Sequence, residues 1–206
     1  MQKTFLAAIA LCTTAGLANA QNSESSATLN NGWRVDANLA SANITGGNYA
    51  SNPILFGVLL SKELKENLAV ETMLTTTAGH KSASFSEGVA SSGNTVSGTF
   101  IRDVKMTTVG AYLTPRMNWK DNSVIYARLG VAYAQFNAEN GTGTSSAGGS
   151  PIAMKDSTTS GTSFSWGIGG RAMTSKNTTF STDFVSYYNK DGVQVNGISF
   201  GFGQTF

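Results

Sequence analysis

Ile125-Tyr126-Ala127-Arg128-Leu129-Gly130-Val131-Ala132-Tyr133 alternates apolar residues at the odd positions with Tyr, Arg, Gly and Ala at the even ones. A period of two marks a strand, whose successive side chains point to opposite faces. The odd face carries no charge. The even face carries Arg128 and the small residues Gly130 and Ala132. What the two faces meet is decided by the rest of the chain.

Working outward, eight segments of this kind are found, at residues 32 to 41, 53 to 62, 67 to 77, 101 to 117, 123 to 137, 162 to 174, 178 to 189 and 193 to 206. Segments of about ten alternating residues are the mark of a membrane-spanning strand. Their connections alternate too. Residues 62 to 67, 118 to 122 and 175 to 177 make short Lys- and Asn-containing turns, whereas 42 to 52, 78 to 100 and 138 to 161 are long and rich in Gly, Ser, Thr and Asn. Only Asn189-Lys190-Asp191-Gly192 is tight on the long-loop side. Short turns at one end and long loops at the other predict an up-and-down barrel, with short periplasmic turns, longer extracellular loops and both termini in the periplasm.

In every segment one parity holds a run free of charge, 54 to 60 in the second and 107 to 113 in the fourth. It collects Trp33, Val35, Leu39, Ile54, Phe56, Leu60, Val70, Val109, Leu113, Phe164, Trp166, Ile168, Phe180, Phe184, Tyr188, Ile198, Phe200, Phe202 and Phe206 beside the odd residues of 125 to 133. The opposite parity collects Arg34, Asp36, Glu71, Arg116, Arg128, Arg171 and Asp183, with Gly130, Gly167, Gly169, Gly201 and Gly203. A charge at the bilayer midplane costs about 2 to 4 kcal/mol for Arg or Lys, so the first face is read as lipid-facing and the second as luminal. Trp33, Phe180 and Phe206 are expected at the lower interface, and Tyr133, Phe164 and Tyr188 at the upper. A soluble β-sandwich also has an apolar parity, but it accounts for neither the interior Arg cluster nor the low charge. Pro115 is expected near the periplasmic rim, where strand pairing can lapse, and Leu55 and Leu59 inside the barrel.

Composition agrees. Only 13% of the 206 residues are charged, against about a quarter in soluble domains, and 23 are Gly. The amino terminus reads as a secretory signal over residues 1–20, with Lys3, the apolar run Phe5 to Leu11, and Ala18-Asn19-Ala20 as the small-x-small cleavage site. A polar tail at 21–31 then leads into the barrel at 32–206. That run is too short for a spanning helix, which needs about 20 residues. Removing the signal removes Cys12, the sole cysteine, and Lys3, so 14 basic residues against 12 acidic become 13 against 12. The sequence carries no basic stripe of the kind nucleic acid needs.

Asn67-Leu68-Ala69-Val70-Glu71, residues 126 to 133, Gly167-Ile168-Gly169-Gly170 followed by Lys176-Asn177, and the ending Ile198-Ser199-Phe200-Gly201-Phe202-Gly203-Gln204-Thr205-Phe206 together resemble the small outer-membrane barrels of the opacity-protein, OmpA-transmembrane and OmpX-like type. The likeness spans most of residues 32 to 206. It implies an all-β, eight-stranded antiparallel fold in the outer membrane, with outer-membrane lipids and the barrel-assembly machinery as partners. It also implies that the C-terminal aromatic pattern, Ile198, Phe200, Phe202 and Phe206, is an assembly signal, from which Gln204 departs. Members of this family serve as envelope structure, adhesins or surface-binding proteins, so function does not follow from the fold.

An eight-stranded barrel is just wide enough to be filled by side chains, which argues against a general diffusion pore. The seven charged luminal residues read as an internal ion network acting as a polar plug; a narrow anion path or a gate is the other reading. His80-Lys81-Ser82 with Glu87 superficially resembles the His-x-Ser plus Glu set of outer-membrane lipid A deacylases, but it lies in or beside a Gly/Ser-rich loop, where such a spacing has little meaning. Gly167-Ile168-Gly169-Gly170 lies in a strand and opens no helix, so it is no dinucleotide motif. No metal-ligand, cofactor or phosphate-loop pattern is present in the sequence. The expected role is therefore non-enzymatic, structural or surface-exposed. The alternative is an adhesin that binds host or cell-surface ligands through loops 78–100 and 138–161, flexible segments with Phe85, Val89, Val96, Ile152 and Met154 as scattered apolar contacts; a lipid A modifying enzyme is the remote third.

Overall fold

The computed structural model describes residues 32–46, 49–79, 81–120, 122–175 and 177–206. These form eleven strands: β1 (Trp33–Gly46), β2 (Tyr49–Ser51), β3 (Ile54–Lys65), β4 (Leu68–Thr77), β5 (Lys81–Val89), β6 (Thr95–Lys120), β7 (Ser123–Ser145), β8 (Ile152–Ala153), β9 (Ser157–Met173), β10 (Thr178–Lys190) and β11 (Val193–Thr205). Among the described residues no helix is long and apolar enough to cross a membrane.

Eight of the strands close a ring. β1 pairs with β3, β3 with β4, β4 with β6, β6 with β7, β7 with β9, β9 with β10, β10 with β11, and β11 returns to β1, all antiparallel. Closure leaves no strand edge unpaired within the wall, the condition for crossing lipid with strands. These eight correspond to the eight alternating segments of the sequence. At the lower end the hairpins are tight, as at Glu66-Asn67. At the upper end only β10 and β11 meet in a two-residue turn, Asp191-Gly192, with φ of 53° and 75°. Two positive φ values give the backbone twist a two-residue hairpin needs.

The expected lipid face is the exposed face. Leu39, Ile54, Leu113, Val131, Phe164, Ile168, Ile198, Phe200 and Phe202 all present more than half of their surface. On β6 the outward residues from Thr107 to Met117 are uncharged, and ten strand steps tilted by about 40° span about 25 Å, the height of an outer-membrane apolar band. Pro115 faces outward low on β6, where the β6–β7 ladder passes from Leu113↔Leu129 to Arg116↔Tyr126 without a change of register. Leu55 and Leu59 are buried inside.

Two expectations are corrected. Tyr188 does not face lipid: the β10–β11 register shifts between Ser186 and Tyr188, one residue is inserted, and Tyr187 and Tyr188 both turn inward and are buried. A bulge reverses parity, which alternation read along a single strand cannot show. The segments 78–100 and 138–161 are not flexible loops. β5 and the upper part of β6 form a hairpin, β7 runs to Ser145, and β9 begins at Ser157. Their Ser, Thr and Gly composition conceals strands because, above the membrane, both faces can be polar.

These upper strands make a second, smaller ring. β5 pairs with β6, β6 with β7 up to Gly98↔Ser145, and β7 with β8; Ala90 bridges Met154, so β8 returns to β5. Ser91 donates to the Ala153 carbonyl at 2.8 Å and Lys155 to the Val89 carbonyl at 2.8 Å, completing the seam. From Lys105 to Thr95 this extension rises about 25 Å above the lipid band.

Candidate functional site: a lumen in two tiers beneath an ordered extension

The lower lumen is a charged cluster built from five strands. Arg34 and Asp36 come from β1, Glu71 from β4, Arg128 from β7, Arg171 from β9 and Asp183 from β10, and all are buried. Glu71 sits at the centre. Its two oxygens accept from Arg34 Nη2 at 2.9 Å and from Arg128 Nε at 2.6 Å, with Arg171 Nη2 at 3.5 Å. Arg34 Nε also donates to Asp36 at 2.9 Å, and Arg128 Nη1 to Asp183 at 2.7 Å. Tyr126 and Ser199 donate to Asp183 at 2.9 and 3.0 Å, and the Tyr126 ring lies under the guanidinium groups of Arg128 and Arg171. Three cations thus face three carboxylates. Arg171 is the loosest member, since its Nε has no partner.

Arg116 stands apart from this cluster. It pairs with Glu63 and donates from Nε to the Glu66 carbonyl at 2.8 Å, near the lower rim. Glu63 escapes a sequence reading that ends strand β3 at residue 62; its parity with Leu55, Leu59 and Ser61 is the signal that would have placed it inside. Gly203 makes room for the network from the closing strand. A Cβ there would lie 1.6 Å from Asp36 Oδ1, so a larger residue would expel that carboxylate.

Above the charges the lumen is uncharged and largely apolar, with the buried hydroxyls of Thr75, Thr77 and Thr108 as polar members. Ile44, Leu55, Leu59, Met73, Met106, Val185, Tyr187, Tyr188 and Val195 form one buried cluster, against which Phe136 and Val193 pack. Tyr188 meets Phe136 edge to face at 5.4 Å between centroids. Between the two tiers, Tyr112 and Ser165 are hydrogen-bonded at 3.0 Å.

Higher still, Phe100, Arg102 and Met154 fill the extension. Arg102 was not among the luminal residues read from the sequence, although it shares the even parity of Arg116 on one segment. Of the loop apolar residues, Met154 is buried, Phe85, Val96 and Ile152 are half-buried, and Val89 is exposed.

His80 lies outside the described residues, as do Ala18, Ala20, the signal segment and the tail. Ser82 donates to Asp103 at 3.3 Å, while Glu87 is exposed five residues along β5, about 16 Å away at the usual strand rise. Ser82 and Glu87 are therefore too far apart to share one imidazole. Among the described residues no group of three or more His, Cys, Asp or Glu is placed to hold a metal. At the other end of the chain, Ile198, Phe200 and Phe202 point to lipid, and the Phe206 amide donates to the Trp33 carbonyl at 2.8 Å.

Solved structures share this architecture. Ail, the attachment invasion locus protein of Yersinia pestis, superposes with a TM-score of 0.55 at 18% identity, covering 85% of this chain and 99% of Ail. Ail in complex with the heparin analogue sucrose octasulfate gives 0.54 at 19% over the same shares. Neisserial surface protein A gives 0.59 at 10% identity, over 84% of this chain and 97% of its own. At such identities the likeness is one of fold. No curated protein sequence matches this chain. The outer membrane protein beta-barrel domain model matches residues 5–206, and the closed eight-strand ring with its uncharged lipid face agrees, so the chain belongs to that family and resides in the outer membrane.

Proposed function

We propose that this protein is a closed, non-enzymatic surface-display barrel: a rigid wall with a plugged lumen whose working part is the β-extension above the membrane. The observation that carries this reading is the two-tier filling of the lumen, in which a neutral ion cluster of three Arg and three carboxylates lies beneath an apolar layer without a charged path between them. An ion entering from either end would have to displace one tier or cross the other, which argues for a plug over an anion path. Single-channel recording in planar bilayers tests it. Silence is expected, and a steady anion-selective conductance would overturn it.

Adhesion is the second reading, favoured by the zipping of segments 78–100 and 138–161 into one ordered ring rather than two independent loops. A rigid projection loses little entropy on binding. Residues 78 to 105 and 138 to 161 hold four basic side chains (Lys81, Arg102, Lys105 and Lys155) and four acidic ones (Glu87, Asp103, Glu139 and Asp156). That neutrality argues for a protein ligand over a sulfated polyanion. Deleting 81–100 should abolish attachment to cells while leaving the barrel heat-modifiable on gels; unchanged attachment would dismiss the adhesin.

We also read residues 1–20 as cleaved after Ala20 and the Ile198, Phe200, Phe202 and Phe206 face as the signal read by the assembly machinery. Deletion of Phe206 should lower outer-membrane levels several-fold in cells, yet leave folding into lipid in vitro. Normal levels by fractionation would contradict it.

A further inference from the structure

The chain has five arginines, and four of them, Arg34, Arg116, Arg128 and Arg171, each touch a buried carboxylate. Arg102 is the exception. It is 7% exposed, yet its guanidinium donates only to neutral acceptors, the Ser157 hydroxyl at 3.3 Å and the Lys155 carbonyl at 3.1 Å, with no carboxylate within 4.0 Å among the described residues. One face of it lies over the Phe85 ring at 5.5 Å. A guanidinium withdrawn from water without a counter-charge is costly to maintain and attracts an anion.

Arg102 lines a cleft of about 500 Å³ at the upper mouth of the barrel, within the size range of small-molecule sites. The cleft opens between β5 and the tops of β1, β6, β7, β9 and β11. Phe85, Val104, Phe136 and Val193 supply apolar surface, and Phe136 and Val193 in turn pack on the apolar tier of the lumen, so the site has a solid floor. The guanidinium is held in place. Its stem crosses Gly141, where a Cβ would stand 2.7 Å from Arg102 Cγ and 2.8 Å from Nε. Glu87 also lines the cleft and is exposed, which disfavours ligands with several negative charges.

We propose that this cleft binds a small amphipathic monocarboxylate, its carboxylate on Arg102 and its apolar body, aryl or alkyl, on Phe85, Val104, Phe136 and Val193. The site is separate from macromolecular recognition by the outside of the extension, and its occupancy is independent of whether the barrel conducts or adheres.

The full-length protein in nanodiscs of zwitterionic lipid is titrated with 4-phenylbutyrate and with decanoate, each against empty nanodiscs, and binding is read by ligand-detected NMR. Saturable binding of either acid is expected, the responding probe showing whether the body is aryl or alkyl. The corresponding amide should bind at least ten-fold more weakly. Arg102→Gln should remove that preference, leaving acid and amide alike. Because Arg102→Gln could loosen the extension, Val193→Trp, which fills the floor and keeps the cation, is a second variant and should lose both ligands. Equal binding of acid and amide by the native protein, or acid binding unchanged in both variants, would overturn the proposal.

Discussion

The lower and upper halves of the lumen are both sealed, but by opposite chemistry, and the two seals should fail differently. Below, Glu71 gathers Arg34, Arg128 and Arg171 from three other strands through directed bonds. Above, Leu59, Met106 and Tyr187 fill space without directional demands. Removing a charge from the first strands its partners, whereas removing volume from the second leaves a void whose cost depends on how far the neighbours relax.

Glu71→Leu is the sharpest way to break the comparison. It leaves three buried guanidinium groups around an apolar side chain, and a loss of about 3 to 5 kcal/mol of unfolding free energy is expected from urea titration of the lipid-reconstituted barrel. Leu59→Ala in the upper tier should cost about 2 to 4 kcal/mol by the same measurement, with a fall that shrinks if Met73 or Tyr187 moves in. A larger loss for Leu59→Ala than for Glu71→Leu would reverse the ranking of the tiers. Arg171→Met probes the loosest cation, which makes one 3.5 Å bond to Glu71 and has an unpartnered Nε. Its cost should be the smallest in the cluster, about 1 to 2 kcal/mol, since the marginal Glu71 bond, the Tyr126 ring contact and one balancing charge are lost while Glu71 keeps two partners and an unpartnered buried Nε is removed. Gly141→Val acts outside both tiers, driving a side chain into Arg102 and Met154. It should leave the unfolding midpoint of the barrel unchanged while speeding proteolysis of residues 140 to 156.

The same contrast explains what the sequence made legible. The lower tier was readable because lipid forbids charge on one parity, so Arg34, Asp36, Glu71, Arg128, Arg171 and Asp183 had only the interior to occupy. Above the lipid that constraint lapses. Residues 81 to 89 and 138 to 145 are strands whose outward side chains are free to be Ser, Thr, Asn or Glu, and their composition is that of a loop. The pairing that orders them, Ala90 with Met154, joins residues 64 apart in the chain, a relation that local pattern does not carry. Tyr188 was misplaced for a related reason, since the bulge at residue 187 is fixed by the β11 register and by the space beside Phe136. Glu63 lies one residue past the segment 53 to 62, at the approach to a turn, and Arg102 lies inside 101 to 117 but beside Asp103 and Lys105, whose charges on the opposite parity hide the alternation.

The glycines of the last strand bear on the order of folding. β11 pairs with β1 from Arg34↔Thr205 to Gly46↔Val193, joining the two ends of the chain, the contact with the largest loop to close. Yet its inward positions from 197 to 203 are Gly, Ser, Gly and Gly, and the space at Gly201 and Gly203 is taken by Asn38 and Asp36 of β1. Below Val195 the final strand therefore brings little bulk to the lumen that the other seven strands fill. It can zip along both neighbours as a nearly flat ribbon, so the step that topology makes slowest demands the least rearrangement of side chains.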